Sequence, residues 1–389
     1  MRKIIYSLIL FSAIAFGQSK KFFEKGEVKL QHPVEKINLR FENNLPFVKV
    51  SINGKFYNFL FDTGAPTVIS QKIYNELNLK KIYKKSIKDS DEKVQQQIFT
   101  ELPEMKVDDL IFKNVGAIVL DLNLAELGCL QVDGIIGANQ MAKLFWKINY
   151  SENSLVASND LNLLNVDDYE TVIPFTAQLQ KTPKINMSLL NKNLSLTFDT
   201  GFSGRMEVSS DEVNPETFKS FIKTFGTRTT GAFGTAQPAS GYIFRADSVK
   251  LGNSIFQNER MSTGKTDLIG NEFFKDFTFV LDWKNSRIYM KRIATSPSSL
   301  ESFGFSYRFI NGNGMVTFVF GEENFPLKIG DAIVSINNEH LENLDRDTAC
   351  HYFINRREKD QKTITVKVKR NGKILDIILN KKEYLKQSV

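Results

Sequence analysis

The stretch Asn58-Phe59-Leu60-Phe61-Asp62-Thr63-Gly64 decides the fold, because its last four residues occur a second time in the chain. The second copy, Phe198-Asp199-Thr200-Gly201, follows the similarly apolar run Leu194-Ser195-Leu196-Thr197. A single Asp-Thr-Gly is expected by chance in roughly one chain in ten of this length. Two copies with matched flanks indicate a duplicated half-site. One carboxylate from each copy would then belong to a catalytic pair.

The regions that follow the two copies also match each other. Ile135-Ile136-Gly137 corresponds to Leu268-Ile269-Gly270, and each leads into an amphipathic stretch and an alternating hairpin, at 139–157 and 271–290. The spacing from the aspartate to the second glycine is 75 residues in one case and 71 in the other. Two unrelated β domains would have no reason to keep this register, so we interpret the chain as an internal duplication.

This constellation resembles the pepsin-like and retropepsin-like aspartic proteases, in which each half of the molecule contributes one Asp-Thr-Gly. The resemblance covers about residues 35–293, and each half is closer in length to a retropepsin-like subunit than to a pepsin lobe. It implies a mainly β fold with two pseudo-symmetric lobes that form a single-chain, bilobal, β-barrel-like unit. We expect lobe 1 at 28–160 and lobe 2 at 165–295.

The repeated motif suits hydrolysis by an activated water. Two carboxylates within hydrogen-bond reach cannot both ionise cheaply, so they share one proton. The charged member can draw a proton from a water that attacks a peptide carbonyl, while the protonated member donates to the carbonyl oxygen. We therefore predict that Asp62 and Asp199 are catalytic. By the resemblance, the threonines bond across the lobe interface and the glycines let backbone N–H groups approach; these supporting residues are Thr63, Gly64, Thr200, Gly201, Gly137 and Gly270.

No metal or organic cofactor is implied by this chemistry. His32, His340 and His351 are scattered, without the cysteine or carboxylate spacing of a metal site. No Ser-His-Asp or Cys-His signature stands out either.

Both copies depart from the family pattern directly after the glycine. The family usually carries Ser, Thr or Ala there, and then Ser or Thr, whereas this chain has Ala65-Pro66-Thr67 and Phe202-Ser203-Gly204. Neither Ala65 nor Phe202 offers a hydroxyl to the outer carboxylate oxygen, so the anions are less stabilised and their pKa values should be higher. We expect a working pH nearer neutral than that of pepsin, and a cleft that Phe202 narrows.

A protease of this kind needs flaps that exclude water and hold an extended substrate. Residues 226–241, rich in Gly, Thr, Ala and Ser, are the best flap candidate in the second half, and residues 94–99 in the first. An ordinary surface loop is an equally good interpretation of both segments.

After a linker at 294–299, residues 300–389 resemble a PDZ domain. The resemblance rests on Phe303-Gly304-Phe305, similar to that family's carboxylate-binding loop, and on the Gly-Asp-containing segment 327–337. It implies that a peptide adds as a strand, with its terminal carboxylate at this loop and a helix near Cys350–Ile354 as the opposite wall. A domain that only packs against the protease is the alternative. The predicted strands are 303–309, 315–320, 332–336, 363–369 and 374–379, with a helix at 347–356.

Residues 1–17 have the pattern of a secretory signal peptide, with Arg2-Lys3 before an apolar run and the small residues Ala15 and Gly17 at the cleavage positions. We expect export to a periplasm or the exterior and no transmembrane segment after cleavage. Loss of Arg2 and Lys3 would reduce the net charge from +7 to +5, with 49 basic and 44 acidic residues. The basic excess near the C-terminus forms no aromatic-interleaved groove, so we do not expect nucleic-acid binding.

The two cysteines, Cys129 and Cys350, fall in different predicted domains. We therefore expect buried or idle thiols rather than a disulfide between them.

The sequence thus predicts an exported aspartic endopeptidase that acts on peptides or proteins through Asp62 and Asp199, with a PDZ module that binds substrate or partner peptides. We expect a monomer. The alternative is a protease-like scaffold that holds peptides without cutting them and acts through the PDZ unit. A third option is a protease that cuts only particular partner proteins of the membrane or envelope.

Overall fold

The protein is mainly β, as the sequence predicts. The structure, a computed structural model, describes residues 18–227, 230–296, 299–321 and 324–385. The predicted signal peptide at 1–17, and Pro297 and Ser298 of the predicted linker, lie outside these ranges. Within them, no helix combines the length and apolar character needed to cross a membrane.

Lobe 1, as we name residues 18–158, begins with a short helix and is otherwise built from strands. Its strands are β1 (Glu27–Lys29), β2 (Val34–Glu42), β3 (Leu45–Ile52), β4 (Lys55–Asp62), β5 (Val68–Ser70), β6 (Lys81–Lys88), β7 (Val94–Val107), β8 (Leu110–Leu120), β9 (Gly134–Gly137), β10 (Phe145–Asn149) and β11 (Ser154–Ser158). Its helices are α1 (Gln18–Phe23), α2 (Gln71–Glu76), α3 (Ala125–Cys129) and α4 (Ala138–Met141).

Lobe 2, residues 171–292, repeats this arrangement, and a 3₁₀ helix at Leu161–Leu164 precedes it. Its strands are β12 (Thr171–Ala177), β13 (Pro183–Leu189), β14 (Lys192–Phe198), β15 (Met206–Ser209), β16 (Phe221–Gly226), β17 (Thr230–Gly231), β18 (Gly234–Thr235), β19 (Ala239–Leu251), β20 (Ser254–Gly264), β21 (Leu268–Ile269), β22 (Phe277–Asp282) and β23 (Arg287–Arg292). It also contains a 3₁₀ helix, Pro215–Thr217, and α5 (Asn271–Phe274).

The C-terminal unit, residues 299–385, is a smaller β structure with one helix on its side. Its strands are β24 (Leu300–Ser302), β25 (Phe305–Ile310), β26 (Asn313–Phe320), β27 (Ala332–Ile336), β28 (Glu339–His340), β29 (Thr363–Arg370), β30 (Lys373–Asn380) and β31 (Lys382–Tyr384). The helix is α6 (Arg346–Ile354), followed by a 3₁₀ helix at Arg357–Asp360. The strands and the helix predicted for this part of the chain are confirmed within a few residues.

The residues in the turns, and the alternation of buried and exposed side chains, explain why these strands form. Asn53 and Gly54 both have positive φ angles, +50° and +79°, as a two-residue hairpin turn between β3 and β4 requires. In β2, Ile37 and Leu39 are buried whereas Lys36 is exposed, because successive side chains of a strand point to opposite faces. The first Asp-Thr-Gly therefore begins at the end of β4, the second strand of this hairpin.

A six-stranded antiparallel sheet joins the two lobes, in the order β2, β11, β10, β22, β23, β12. At its centre, Trp146 pairs with Leu281 and Ile148 pairs with Phe279. The spacing of 133 residues that relates the duplicated glycines also relates Trp146 to Phe279 and Ile148 to Leu281. The strand pairing is therefore two-fold symmetric, and it fixes the lobes face to face.

The hydrophobic core runs through both lobes without a break. Side chains that are almost fully buried, such as Phe61 and Trp146 in lobe 1 and Phe198 and Phe279 in lobe 2, belong to one cluster. The rings of Phe61 and Trp146 meet edge to face, as do those of Phe198 and Phe279. Each motif is thus held by the same continuous core.

The C-terminal unit packs against lobe 2 by extending its sheet. Strand β26 pairs antiparallel with β16, and the backbone N–H of Gly321 donates to the carbonyl of Lys223 at 2.8 Å. The Thr227 N–H also donates to the carbonyl of Thr317 at 2.8 Å. These are main-chain contacts, so the unit is attached along a strand that leads directly into residues 226–241.

A disulfide between Cys129 and Cys350 attaches the C-terminal unit to lobe 1 as well. The expectation of two thiols is therefore wrong. Helix α3 of lobe 1 packs against α6 of the C-terminal unit, which brings cysteines 221 residues apart in sequence to a Cα separation of 5.0 Å, within the range that a disulfide spans. The assumption that separate domains keep their cysteines apart failed because these units are in contact.

Candidate active site

The two Asp-Thr-Gly motifs lie at the ends of equivalent strands. Asp62 is the last residue of β4 and pairs with Gly137 of the parallel strand β9. Asp199 directly follows β14, whose Phe198 pairs with Ile269 of the parallel strand β21. The predicted apolar-apolar-glycine elements therefore lie beside the aspartates in both lobes.

The two threonines form a reciprocal set of hydrogen bonds across the lobe interface. The N–H of Thr63 donates to Oγ1 of Thr200 at 3.0 Å, and the N–H of Thr200 donates to Oγ1 of Thr63 at 3.0 Å. The Thr63 hydroxyl donates to the carbonyl of Phe198 at 2.6 Å, and the Thr200 hydroxyl donates to that of Phe61 at 2.7 Å. This network holds the two Asp-Thr-Gly turns in one fixed relation, as the resemblance implies.

The glycines bring each motif against the opposite aspartate. Within each motif, Gly64 N–H donates to Asp62 Oδ1 at 2.7 Å and Gly201 N–H donates to Asp199 Oδ1 at 2.8 Å. A Cβ atom on Gly64 would lie 2.5 Å from Asp199 Oδ1, and one on Gly201 would lie 2.2 Å from Asp62 Oδ2. Only glycine leaves room for this approach, so the carboxylates meet across the interface.

Burial and mutual repulsion set the ionisation of the pair. Asp62 and Asp199 are 0% and 1% exposed. Burial, then the charge of Asp199 nearby, raises the pKa of Asp62 well above its ordinary value. Burial likewise raises the pKa of Asp199 to about 6, against the hydrogen bonds that lower it. Both groups therefore prefer the protonated form more strongly than an exposed aspartate does.

The outer oxygens of the pair have no hydrogen-bond donor within the described part of the chain. Oδ2 of Asp62 and Oδ2 of Asp199 are both buried and lack such a partner. Ala65 and Phe202, which follow the glycines, carry no hydroxyl. These two oxygens are therefore the atoms of the site that remain available to a water or a substrate carbonyl.

A polar chain beneath the second motif went unnoticed in the sequence. The Tyr150 hydroxyl donates to Asn271 Oδ1 at 2.7 Å, and Asn271 Nδ2 donates to the carbonyls of Thr200 at 2.6 Å and Asn44 at 2.8 Å. In lobe 1, Asn139 Oδ1 accepts from the N–H of Thr67 at 2.8 Å. An asparagine within two residues of each duplicated glycine was the signal that could have revealed these groups.

The two flap candidates contact each other. The hairpin β6–β7, which contains residues 94–99, carries a tip at 89–93. The described residues of 226–241, which are 226–227 and 230–241, form a second projection with its own small hairpin, β17–β18. Phe233 N–H donates to Asp89 Oδ2 at 3.0 Å, and Lys93 Nζ donates to the carbonyl of Thr235 at 2.7 Å. We name the β6–β7 hairpin flap 1 and residues 226–241 flap 2.

Flap 2 also contacts the C-terminal unit. Arg308 Nη1 donates to the hydroxyl of Thr230 at 2.6 Å, and the buried side chains of Ala232 and Phe233 share a hydrophobic cluster with Phe353 of α6. Flap 2 is thus held between flap 1 on one side and the C-terminal unit on the other.

The predicted peptide loop Phe303-Gly304-Phe305 connects β24 to β25. Gly304 has a φ of +81°, its N–H donates to Oγ of Ser302 at 3.0 Å, and its carbonyl accepts from Phe320 N–H at 2.7 Å. The structure does not bring this loop to the Asp-Thr-Gly site. Arg356 Nη2 donates to the carbonyl of Tyr307 at 2.6 Å, on the strand that would receive a peptide.

A comparison with protein families agrees with the geometry of lobe 1. Residues 48–140 match the model of the aspartyl protease family. These residues form an aspartyl protease-like domain. The matched segment runs from β3 to α4 and includes Asp62, Gly64 and Gly137. No curated protein matches the chain.

Proposed function

We propose that this protein is an exported aspartic endopeptidase in which Asp62 and Asp199 together activate one water molecule. The observation that carries the proposal is the reciprocal pairing of Thr63 and Thr200, which fixes the two carboxylates against opposite glycines. A pair of costly buried carboxylates has no evident structural role at this place, because their outer oxygens bond to no other described group.

The chemistry follows from one shared proton. The ionised carboxylate takes a proton from the water, whose oxygen forms a bond to the peptide carbonyl carbon. The protonated carboxylate gives its proton to the carbonyl oxygen, so the intermediate carries no isolated charge. The proton taken from the water then passes to the amide nitrogen as the C–N bond breaks, and one hydroxyl of the intermediate returns a proton to the other carboxylate as the carbonyl re-forms. At the end one carboxylate is again protonated and the other ionised.

Two features of the structure support the remaining parts of the proposal. The Cys129–Cys350 disulfide suits an oxidising compartment, which agrees with export through the predicted signal peptide. For the C-terminal unit we propose that it braces flap 2, through β16–β26 pairing and the Arg308–Thr230 bond. As a second role we propose that the C-terminal unit binds the C-terminus of a peptide at β25. A peptide with a free C-terminal carboxylate should then bind more tightly than the same peptide with an amidated C-terminus.

The binding-scaffold alternative is favoured by one observation. The two aspartates are almost completely buried, and the flaps contact each other, so a substrate reaches the pair only after the flaps separate. A protein that never opens in this way would hold peptides elsewhere and cut none.

A diverse peptide library separates the two functions. The wild-type protein should cleave some members, and Asp62→Asn or Asp199→Asn should lower kcat/KM by at least about 10³-fold. The exposed Asp211→Asn serves as a matched control and should cleave normally. Cleavage that survives both active-site substitutions would exclude the mechanism. Peptide binding without cleavage at any pH would favour the scaffold.

A further inference from the structure

Positive and negative charges are segregated along flap 1. Residues 80–88, which include all of β6, contain five lysines in nine residues, and residues 93–100 contain one more. Neither segment contains an aspartate or a glutamate, because the three acids of the hairpin, Asp89, Asp91 and Glu92, all lie in its tip. The tip is the part that contacts flap 2, where Phe233 N–H donates to Asp89. The body of the hairpin is therefore basic.

The hairpin has an inner face that packs against the rest of the protein. Tyr83 pairs with Phe99, and both rings meet Phe22 of α1 edge to face. Ile87 is buried in the apolar cluster that also contains Phe233 of flap 2. Successive side chains of a strand point to opposite faces, so the alternate residues of the hairpin form an outer face that these contacts leave uncovered.

The outer face of flap 1 combines lysines with exposed apolar side chains. We give this name to the six residues Lys84, Ser86 and Lys88 of β6 and their cross-strand partners Ile98, Gln96 and Val94. Lys84 is exposed, and Val94 is 62% exposed. At the base of β6, next to this face in sequence, lie three more exposed residues, Lys80, Lys81 and Ile82.

Most of this positive charge has no carboxylate to neutralise it. Lys88 pairs with Glu92 of the tip at 2.6 Å. Glu101, which follows the hairpin body on β7, forms its ion pair with Lys25. Within the described ranges, no ion pair is made by Lys80, Lys81 or Lys84. The outer face and the base of β6 thus present a positive surface to solvent.

Helix α1 adds further positive charge beside flap 1. The ring centroid of its Phe22 lies 5.6 Å from that of Tyr83 and 5.1 Å from that of Phe99. The two residues before Phe22, Lys20 and Lys21, are exposed, and neither forms an ion pair in the part of the chain that the structure describes. The basic region therefore extends from the hairpin to the helix that packs beneath it.

Protection of a sheet edge explains part of this pattern. Strand β6 pairs with β7 and with no other described strand, and natural proteins place lysines on such edges to prevent pairing with another chain. An edge protected in this way gains nothing from exposed apolar side chains, which favour association. Val94 and Ile82 are nevertheless 62% and 45% exposed beside the lysines. The combination suits a partner that is anionic and also accepts apolar side chains.

We propose that the outer face of flap 1 binds the surface of a lipid bilayer that carries anionic headgroups. Lysines near such a surface are attracted by its negative potential, and Val94 and Ile82 enter the boundary between headgroups and acyl chains. The exposed face of a two-stranded hairpin suits a flat surface better than it suits a groove. The proposal goes beyond the endopeptidase function and does not depend on it.

Co-sedimentation with lipid vesicles tests the proposal. The protein should bind vesicles of mixed phosphatidylglycerol and phosphatidylcholine at least about tenfold more tightly than vesicles of phosphatidylcholine alone, and high salt should remove the difference. Changing Lys80, Lys81 and Lys84 together to Gln should lower the affinity for mixed vesicles at least about tenfold.

A control variant separates a defined binding face from a general effect of net charge. Lys36, Lys250 and Lys373 are exposed, lie outside flap 1 and make no ion pair with a described residue. Changing these three together to Gln removes the same charge and should alter the affinity for mixed vesicles by less than about threefold. Equal losses in the two triple variants, or equal wild-type binding to both kinds of vesicle, would overturn the proposal.

A second pair of measurements identifies the class of partner. Val94→Ser should lower the affinity for mixed vesicles about threefold or more and leave binding to polyglutamate unchanged. Tighter binding to polyglutamate than to mixed vesicles would make an acidic protein the partner and refute the lipid surface. Self-association of the Lys80, Lys81 and Lys84 variant, with no vesicle binding by the wild type, would reduce the lysines to edge protection. No peptide substrate takes part, so the outcome is independent of Asp62 and Asp199.

Discussion

Lobe 1 and lobe 2 have the same strand register but differ in chemistry. At the Asp-Thr-Gly turns the lobes are equal, down to the reciprocal 3.0 Å bonds of Thr63 and Thr200. A few residues later, lobe 1 has Pro66 and Val68 where lobe 2 has Arg205 and Glu207. The turns that hold the two carboxylates together are symmetric, and the positions a few residues further along each lobe have diverged.

The two lobes also differ in the buried polar contacts that lie beside the Asp-Thr-Gly turns. Arg205 is about 9% exposed, and its Nε donates to Glu259 at 2.6 Å while its Nη1 donates to Asp276 at 3.3 Å. Lobe 1 has the uncharged Pro66 at the matching position, and the nearby Asn139 Oδ1 accepts from the N–H of Thr67. Lobe 2 thus has buried ion pairs where lobe 1 has uncharged contacts, so we expect lobe 2 to be more sensitive to the loss of one residue.

The largest expected effect is on the buried ion cluster. Arg205→Met should lower the free energy of unfolding by about 3–5 kcal/mol, because it leaves Glu259 and Asp276 buried without their cation. Pro66→Ala, at the matching position of lobe 1, should cost less than about 1 kcal/mol. Chemical denaturation of both variants measures the difference. Equal losses in the free energy of unfolding for the two variants would contradict the proposed difference between the lobes.

The next effect concerns how each lobe is attached to the C-terminal unit, lobe 1 by the disulfide and lobe 2 by strand pairing. Changing Cys129 and Cys350 together to Ser should lower the free energy of unfolding by about 2–5 kcal/mol, since the bond closes a long loop. Treatment with a dithiol should lower the wild-type value by the same amount and leave the double variant unchanged. A double variant as stable as the wild type would contradict the prediction.

A smaller effect tests the equality of the two motifs. Thr63→Val and Thr200→Val each leave a buried N–H and a carbonyl without a partner, so each should cost about 1–3 kcal/mol. The two losses should agree within about 1 kcal/mol, and the double variant should cost less than their sum. Thermal or chemical denaturation checks this. A loss confined to one lobe would show that the interface is not reciprocal.

The smallest effect is a pH dependence that both lobes share. Burial raises the pKa of Asp199 to about 6, and burial together with the charge of Asp199 raises the pKa of Asp62 well above its ordinary value, so we expect the singly ionised pair to gain a second proton as the pH falls below about 6. We expect kcat/KM to fall about tenfold per pH unit there. Ala65→Ser, which offers a hydroxyl beside Asp62, should move this limb to lower pH. A wild-type pH–rate profile with its maximum well below pH 4 would contradict the assignment.

The sequence was sufficient where the pattern is local or repeated. The turn at Asn53-Gly54 and the alternation of β2 are read from neighbouring residues and form as expected, and the repeated Asp-Thr-Gly is visible in the sequence itself. The missing hydroxyls at 65 and 202 likewise predicted the outer oxygens that lack a donor. Local chemistry determines these features, so a single sequence is enough to find them.

The sequence was insufficient where distant segments meet. The Cys129–Cys350 bond and the contact between Phe233 and Asp89 join residues 221 and 144 positions apart, and no local pattern sets such distances. The amphipathic stretches after the duplicated glycines also form helices of only four residues, α4 and α5, because the following residues continue into strands of the interlobe sheet. Tertiary pairing overrides local periodicity there.

The central claim, that Asp62 and Asp199 form one coupled pair, is tested most directly by NMR titration of ¹³C-labelled aspartate carboxyls. The charge of Asp199 contributes to the raised pKa of Asp62, so the pKa of Asp62 should fall in Asp199→Asn while burial keeps it above its ordinary value. The exposed Asp211→Asn should leave the Asp62 titration unchanged. An Asp62 pKa that is the same in the wild type and in Asp199→Asn would mean that the carboxylates do not meet, and would contradict the account.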